Sequence, residues 1–308
     1  MNSTNKGKYY FFLIFTTFVW GINFHISQVA LKYTSPMVTG TYRYFLGAIC
    51  LIGFAFIKKP SKEDVSRAIS NWKSIIFLGV IGAFLYNVLF LEGIKSTSAF
   101  NGVLIIGLTP LNTALISIPM LGTRLKRKEM ISILFGFIGI LLVISKGDIN
   151  TIRSFSFSKG DLYILAANIS FSFANVYIKK YLNNISPLWL TNLVTIVACI
   201  CFMIYTLSFE TISFPTTQEY LWSILFMGVL STAIAGAFWI ISIKEMGAET
   251  STLFMNLVPV FGTSASFILG EEIVGAQIFG GFFVITGLLI NSIKIKRKKS
   301  TAQSVSTF

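Results

Sequence analysis

The chain has 308 residues, of which 54% are hydrophobic and only 12% are Asp, Glu, Lys or Arg. A soluble domain carries about 25% charged residues, so these side chains cannot cover a soluble surface of this size. The mean hydropathy of +0.74 agrees. The composition excludes a soluble enzyme, a disordered chain, a coiled coil and a secreted disulfide scaffold, and it predicts an all-α integral membrane protein.

Ten apolar stretches come near the length of about 20 residues that a helix needs to cross the hydrocarbon core. They are residues 9–31, 36–57, 74–94, 96–122, 130–145, 161–178, 188–208, 220–243, 250–270 and 275–293. The first stretch is too long for the apolar part of a cleavable signal peptide, which predicts a retained span. The three cysteines, Cys50, Cys199 and Cys201, lie within apolar stretches. This placement favours packing roles over a metal cluster or a disulfide.

Basic residues in the connections predict the orientation. With the N-terminus in the cytoplasm, 19 Lys and Arg residues fall inside, 5 fall outside, and Arg43 lies within a span. An odd number of spans would carry the basic C-terminal tail outside, so we expect both termini in the cytoplasm. The net charge of +13 therefore reflects topology in a multi-pass protein of the cytoplasmic membrane. Membrane lipid, rather than nucleic acid, is the expected neighbour of the basic clusters.

The chain contains an internal repeat. Residues 94–99, Ile-Lys-Ser-Thr-Ser-Ala, match residues 243–248, Ile-Lys-Glu-Met-Gly-Ala, and Pro110 matches Pro259 at the same offset. Such self-similarity predicts two structurally equivalent halves.

The two predicted halves, residues 1–155 and 156–308, each hold five spans. An odd number of spans per half forces the halves into opposite orientations. The equivalent loops agree, because residues 123–128 are basic whereas Glu271-Glu272 are acidic. The sequence therefore predicts ten transmembrane helices arranged as two inverted five-helix repeats. Inverted repeats are typical of secondary transporters, which bind substrate near the midplane between the repeats.

An ordered set of short motifs runs through both halves. It comprises Trp20-Gly21-Ile22-Asn23-Phe24, Arg43-Tyr44-Phe45, residues 93–99, Leu108-Thr109-Pro110-Leu111, Leu257-Val258-Pro259-Val260 and residues 269–272. Together, over about residues 10–293, they resemble the drug/metabolite transporter superfamily, specifically its EamA-type members with ten spans. The resemblance implies transport of small metabolites, often export of amino acids or related compounds, and no ATP site. Thr123-Arg124 departs from the Gly-Glu-Arg that is frequent in the family.

The first span carries a polar stripe of Thr16, Trp20, Asn23 and Ser27 at helical spacing. Polar groups in hydrocarbon need partners or a wet cavity. We expect a cavity wall in which Trp20 stacks on the substrate and Asn23 bonds to it. The alternative is hydrogen bonding between helices.

Further candidates for the cavity lie in four other spans, with packing as the alternative for each. They are Asn101, Asn112, Asn168, Asn175, Trp239 and Asn256. The matched Pro110 and Pro259 interrupt two spans and are candidate hinges, since a proline removes a backbone hydrogen bond. A static kink is the other interpretation.

Three ionisable side chains lie in the predicted outer third of the membrane, namely His25, Arg43 and Glu92. An ionisable group within a membrane is a functional hypothesis by default. An Arg43–Glu92 pair would form an outer gate or coupling site. The alternatives are an Arg43 that reaches outward, a Glu92 paired with Lys95, and a packing role for His25.

The resulting hypothesis is a secondary transporter that moves a small metabolite by alternating access, with export of amino acids or related amphipathic compounds foremost. No cofactor or metal is expected, and the chain could work as a monomer or a homodimer. Proton coupling stays open, because no buried carboxylate pair is evident. The alternatives are an uptake carrier, a channel and an intramembrane enzyme. The enzyme is disfavoured because the chain has only one histidine, which excludes a metal site built from several histidines.

Overall fold

The computed structural model describes residues 6–97, 99–153, 158–268 and 274–292. These residues form helices and connections, with no strand among them. The helices of the first half are α1 Lys6–Ala30, α2 Pro36–Ile57, α3 Lys62–Ser70, α4 Trp72–Leu78, α5 Tyr86–Ser96, α6 Ala99–Ile106, α7 Thr109–Leu121, α8 Arg127–Ser145 and α9 Ile149–Arg153. Those of the second half are α10 Lys159–Tyr181, α11 Pro187–Phe209, α12 Gln218–Leu225, α13 Gly236–Met246, α14 Ala248–Thr252, α15 Leu257–Ile268 and α16 Gly275–Ser292.

Eight helical segments in the described ranges are long and apolar enough to cross a membrane. They are Gly7–Ala30, Pro36–Ile57, Trp72–Ser96, Asn101–Leu121, Arg127–Ser145, Lys159–Tyr181, Pro187–Phe209 and Gln218–Met246. These segments coincide with the first eight predicted stretches, so the prediction of a multi-spanning helical protein is confirmed.

The last two predicted stretches have a different character. The ninth forms α14, a 3-10 segment Leu253–Asn256 and α15, and the apolar part of α16 in the tenth is the shorter Gly275–Ile290. The count of ten spans and the orientation of the termini therefore stay predictions. Glu271-Glu272 and the basic C-terminal tail lie outside the described residues.

The helix ends follow local chemistry. Ser35 caps α2, accepting a hydrogen bond from Val38 N at 3.2 Å, and Pro36 occupies the first turn, where no backbone donor is required. Gly122 and Gly247 follow the ends of α7 and α13 with φ of 66° and 93°, a backbone region that glycine enters without strain. The helices that these connections join pack mainly on other elements: α2 packs on α11, and α7 packs on α10.

Two π-helical segments interrupt equivalent positions of the two halves. Gly79–Leu85 lies between α4 and α5, and Phe226–Ala235 lies between α12 and α13. A π turn is wider than an α turn, so neighbouring side chains can reach its carbonyls, and such turns occur frequently at functional sites. Neither segment contains a proline, and neither was predicted from the sequence.

Close backbone approach joins α8 to α16. A Cβ atom built on Gly280 would lie 2.6 Å from Gly139 O, and a Cβ on Gly139 would lie 2.6 Å from Gly280 O. Small residues permit such contacts between membrane helices, whose packing gains little from the hydrophobic effect.

The short helix α3 holds the connection between α10 and α11. Asp64 Oδ1 accepts from Ser186 N at 2.8 Å, and Arg67 Nη1 donates to Asn184 O at 2.6 Å. On the other side of this connection, Lys244 Nζ donates to Leu182 O at 2.6 Å. Burial disfavours the charged Asp64, but hydrogen bonds from Ser186 and the Ser61 side chain outweigh it, so the pKa of Asp64 lies below its ordinary value.

We expect Gly280→Ala to destabilise the folded protein by roughly 1–3 kcal/mol, because the new methyl group overlaps the backbone of α8. The matched control is Gly281→Ala, whose methyl group would meet its nearest atom, Val260 Cγ1, at an ordinary 3.8 Å. The control should melt at the same temperature as the wild type or slightly above, since alanine favours helix. Melting temperatures of the purified variants in detergent measure this, and equal loss in both would contradict the packing argument.

We also expect Asp64→Asn to lower the melting temperature at neutral pH. A carboxylate whose folded pKa is lowered contributes stability above its unfolded pKa of about 3.9 and loses it as pH falls through the folded value. The difference between wild type and Asp64→Asn should therefore shrink as pH falls from about 5 to about 3. Glu63→Gln, an exposed carboxylate on the same helix, is the control. A difference that is independent of pH would refute this role of Asp64.

Candidate functional site

A cavity of about 150 Å³ lies inside the bundle and is lined by residues of both halves. Its polar, charged and aromatic lining comprises Trp20, Asn23, Phe24, Arg43, Tyr44, Tyr86, Asn87, Phe90, Thr109, Asn168, Phe171, Asn175, Thr191, Thr195, Ser231, Thr232 and Trp239. A cavity of this size accepts about one benzene-sized group. This mixture of apolar walls with a few polar groups is typical of a small-molecule site.

Three aromatic rings form one wall of the cavity, which we term the aromatic cluster: Trp20, Phe171 and Trp239. The centroids of Trp20 and Trp239 lie 5.0 Å apart, and Phe171 stacks on Trp239 at 5.6 Å. Both indoles are held by hydrogen bonds, because Trp20 Nε1 donates to Ser231 O at 3.2 Å and Trp239 Nε1 donates to Asn175 Oδ1 at 3.0 Å. The cluster is therefore a fixed apolar surface rather than a set of mobile rings.

Amide side chains form the polar part of the lining. Asn23 Nδ2 donates to Ser27 Oγ at 3.3 Å, and Asn87 Nδ2 donates to the Tyr44 hydroxyl at 2.6 Å. The Oδ1 atoms of Asn23 and Asn87 are buried and find no partner among the described residues. Buried acceptors are usually satisfied, so these two are candidates to accept a hydrogen bond from a bound molecule.

Arg43 is the one charged residue among the described lining residues. Its side chain is only 6% exposed. The guanidinium donates from Nε to Thr232 Oγ1 at 2.8 Å and from Nη2 to Ser231 Oγ at 3.3 Å. It therefore points into the bundle, toward the second π segment.

Six of the predicted site residues line this cavity, namely Trp20, Asn23, Arg43, Asn168, Asn175 and Trp239. These residues were predicted because they recur at helical spacing and because polar groups avoid lipid. The other two members of the α1 stripe serve packing instead. Thr16 Oγ1 donates to Ala235 O at 3.2 Å, and Ser27 Oγ donates to Asn23 O at 2.7 Å.

Three predicted amides lie outside the cavity lining. Asn101 Nδ2 donates to Asp161 Oδ2 at 2.7 Å, near the start of α10. Asn112 Nδ2 donates to Asn168 Oδ1 at 3.3 Å and so supports a lining residue from behind. Asn256 packs against α8, where a Cβ on Gly136 would overlap its amide.

The three ionisable candidates, His25, Arg43 and Glu92, form no hydrogen bond or ion pair with one another among the described residues. Glu92 is half-buried and, within the described ranges, forms no ion pair with Arg43 or with Lys95. His25 Nε2 lies 3.3 Å from Gly262 O, a contact between α1 and α15. The structure therefore shows hydroxyl partners for Arg43 in place of the expected carboxylate.

The two matched prolines lie directly after breaks in their helices. Pro110 is in the first turn of α7, after a turn at residues 107–108, and Pro259 is in the first turn of α15, after the 3-10 segment Leu253–Asn256. Pro110 costs little there, because the first turn of a helix requires no backbone donor. Both spans are irregular at these points, and the hinge role of the two prolines stays a prediction.

The other polar and aromatic lining residues were not named as site candidates from the sequence, among them Tyr86, Asn87 and Phe171. Phe171 lies three residues after Asn168 and four before Asn175, so the same helical spacing would have found it. Asn87 is a lone amide in the apolar run of α5, which is itself a signal. Among the described residues, no group of His, Cys, Asp or Glu side chains could hold a metal ion.

Comparison with known proteins agrees with this architecture. The sequence pattern of the EamA-like transporter family matches residues 7–145 and 158–293. "Uncharacterized transporter YyaM" of Bacillus subtilis (strain 168) is 34% identical over 298 residues, covering 95% of each chain. "Uncharacterized transporter YoaV" of the same organism is 23% identical over 292 residues, covering 93% of this chain and 97% of its own.

A solved crystal structure shares the fold. It superposes with a TM-score of 0.73 at 18% identity, covering 91% of this chain and 95% of that chain. The apolar helices, the central cavity and the family match lead to one conclusion. This chain is a multi-pass membrane transporter that belongs to the EamA-like transporter family.

Proposed function

We propose that this protein is a secondary transporter that exports small amphipathic metabolites, amino acids or related compounds foremost, across the cytoplasmic membrane. The observation that carries the proposal is the central cavity, in which the aromatic cluster faces amide and hydroxyl groups. Such a lining offers an apolar surface together with a few directional hydrogen bonds, as an amphipathic molecule requires. The contributions of both halves to the lining fit a site between two moving units.

An inverted arrangement of residues 1–155 and 156–308, with both termini in the cytoplasm, belongs to the same proposal. The matched π segments support it, because Gly79 and Gly228 lie at the 149-residue offset of the internal repeat. The packing supports it as well: α1 packs on α13 and α15, and α10 packs on α5 and α7. These are equivalent pairs with the halves exchanged.

Alternating access needs helices that bend without breaking the bundle. The interruptions before Pro110 and Pro259 supply two such points, one in each half. Hinges are a few residues that absorb changes in backbone angles, and here they lie beside the lining residues Thr109 and Val258.

We expect Pro110→Ala and Pro259→Ala each to lower the rate of transport while leaving expression and melting temperature near those of the wild type. Alanine restores a backbone donor and allows the helix to continue, which stiffens the break. Transport rates normalised to the protein in the membrane measure this. Normal rates in both variants would remove the hinge role.

We expect cells that produce the intact protein to accumulate a metabolite in the medium, and cells that produce Trp20→Ala to accumulate about tenfold less. Loss of the indole removes a stacking surface worth about 1 kcal/mol beyond its buried area. Untargeted mass spectrometry of the medium, after loading with amino acids and dipeptides, names the compound. Trp222→Ala is the matched control, because Trp222 is 62% exposed on the surface of α12.

Other results would select another function. Accumulation inside the cells would indicate an uptake carrier, and flux without saturation or counterflow would indicate a channel. A metabolite converted without crossing the membrane would indicate an intramembrane enzyme. Equal export by Trp20→Ala and Trp222→Ala would show that the cavity is not the site of transport. Purified protein in liposomes, with and without a pH gradient, tests proton coupling.

A further inference from the structure

We propose that Arg43 binds the carboxylate of the transported compound, and that the aromatic cluster of Trp20, Phe171 and Trp239 receives its apolar ring. The substrate is then an organic acid with one carboxylate, whether or not it also carries an amine. The inference rests on the proposed function in one respect, namely that the cavity is the substrate site. It changes the role of Arg43 from a gate residue to the residue that recognises the ligand.

The first argument is the charge of Arg43. The side chain is 6% exposed, and its hydrogen-bond partners in the described ranges are the neutral hydroxyls of Ser231 and Thr232. Its Cζ also lies 6.0 Å from the centroid of the Tyr44 ring, a contact that supplies no negative charge. A guanidinium has five N–H donors and stays protonated in proteins, so a charge and several donors face the cavity. Burying a charge is costly unless an opposite charge compensates it.

The second argument is that, among the described residues, no acidic side chain forms an ion pair with Arg43. Asp161 accepts from Asn101 at 2.7 Å and caps α10 through Ser158 N at 2.6 Å. Glu219 accepts from the Tyr33 hydroxyl at 2.8 Å near the end of the bundle. Among the described lining residues none is acidic, so a bound anion is the available counter-charge.

The third argument is the fixed orientation of the guanidinium. Thr232 Oγ1 accepts from Arg43 Nε and itself donates to Met227 O at 2.8 Å inside the π segment. The Nε and one Nη2 donor are thereby occupied, which leaves the Nη1 end of the planar fork for a ligand. Arginine recognises carboxylates through two parallel N–H donors, and a lysine cannot reproduce this geometry.

The fourth argument is the fit between volume and chemistry. A cavity of about 150 Å³ has room for about one benzene-sized ring, and a short acid chain would extend from that ring along the polar lining to Arg43. The ring would pack against the aromatic cluster. Trp20 and Arg43 both contact Ser231, whose carbonyl accepts from Trp20 Nε1 and whose hydroxyl accepts from Arg43 Nη2. The apolar surface and the cation therefore lie within reach of one small molecule.

The test compares 3-phenylpropanoate with its neutral amide, 3-phenylpropanamide, which has nearly the same shape. Binding to the purified full chain in detergent at pH 7 is measured by thermal shift over a range of concentrations. We expect the wild type to bind the carboxylate about tenfold or more tightly than the amide, as hydrogen bonds to a charged group imply. Arg43→Gln should bind the two equally, whereas Arg43→Lys should keep a reduced preference for the carboxylate.

The matched control is Arg67→Gln, which alters an arginine outside the cavity and should keep the preference of the wild type. Arg43→Lys also covers the case in which Arg43→Gln does not fold. The proposal is overturned if the wild type prefers neither compound or binds neither, or if Arg43→Gln keeps the preference. Binding does not require transport. If the protein binds the carboxylate through Arg43 but exports nothing, the binding site is supported and the proposed export function is wrong. If the protein exports a metabolite but shows no preference for the carboxylate, export is supported and the role of Arg43 is wrong.

Discussion

Hydrocarbon offers no water to satisfy polar groups, so every polar group within the bundle needs a partner in the protein. Carbonyls of the two π segments meet much of this need. Ile81 O accepts from Ser170 at 2.7 Å, and Ser231 O accepts from Trp20 at 3.2 Å. Each bond crosses from one helix to another and fixes a side chain in or beside the cavity. The wider turns therefore lock the helices together at the same depth at which the binding surface is formed.

Close backbone contact places the cation at this depth. A Cβ on Gly228 would lie 2.9 Å from Arg43 O, and a Cβ on Gly47 would lie 3.0 Å from Thr232 Cγ2. Because both positions lack a side chain, α2 rests directly on the second π segment, and Arg43 lies one turn from Gly47. The guanidinium then reaches the hydroxyls of the π segment without crossing the cavity. The same two glycines thus determine the close backbone contact and the position of the Arg43 guanidinium.

The sequence predicted the helical class and six residues of the cavity lining. The physical reason for that success also limits it. Trp20 and Asn23 lie on one face of α1. Because a polar face avoids lipid, this face must contact either a cavity or another helix. Periodicity cannot distinguish these outcomes. Asn101 has the same pattern but is bonded to Asp161, a contact that depends on how α6 meets α10. The π segments were not predictable, because their glycines permit a wider turn without requiring it.

The pair of indoles at the cavity has an optical consequence. Trp20 and Trp239 lie 5.0 Å apart between centroids, close enough for their excited states to couple, whereas Trp72 and Trp222 are more than half exposed on the outside of the bundle. A molecule bound against this fixed surface would change the surroundings of both rings, and with them the near-ultraviolet circular dichroism of the protein. The cavity thus contains its own spectroscopic reporter of occupancy, which needs no label and no knowledge of the ligand.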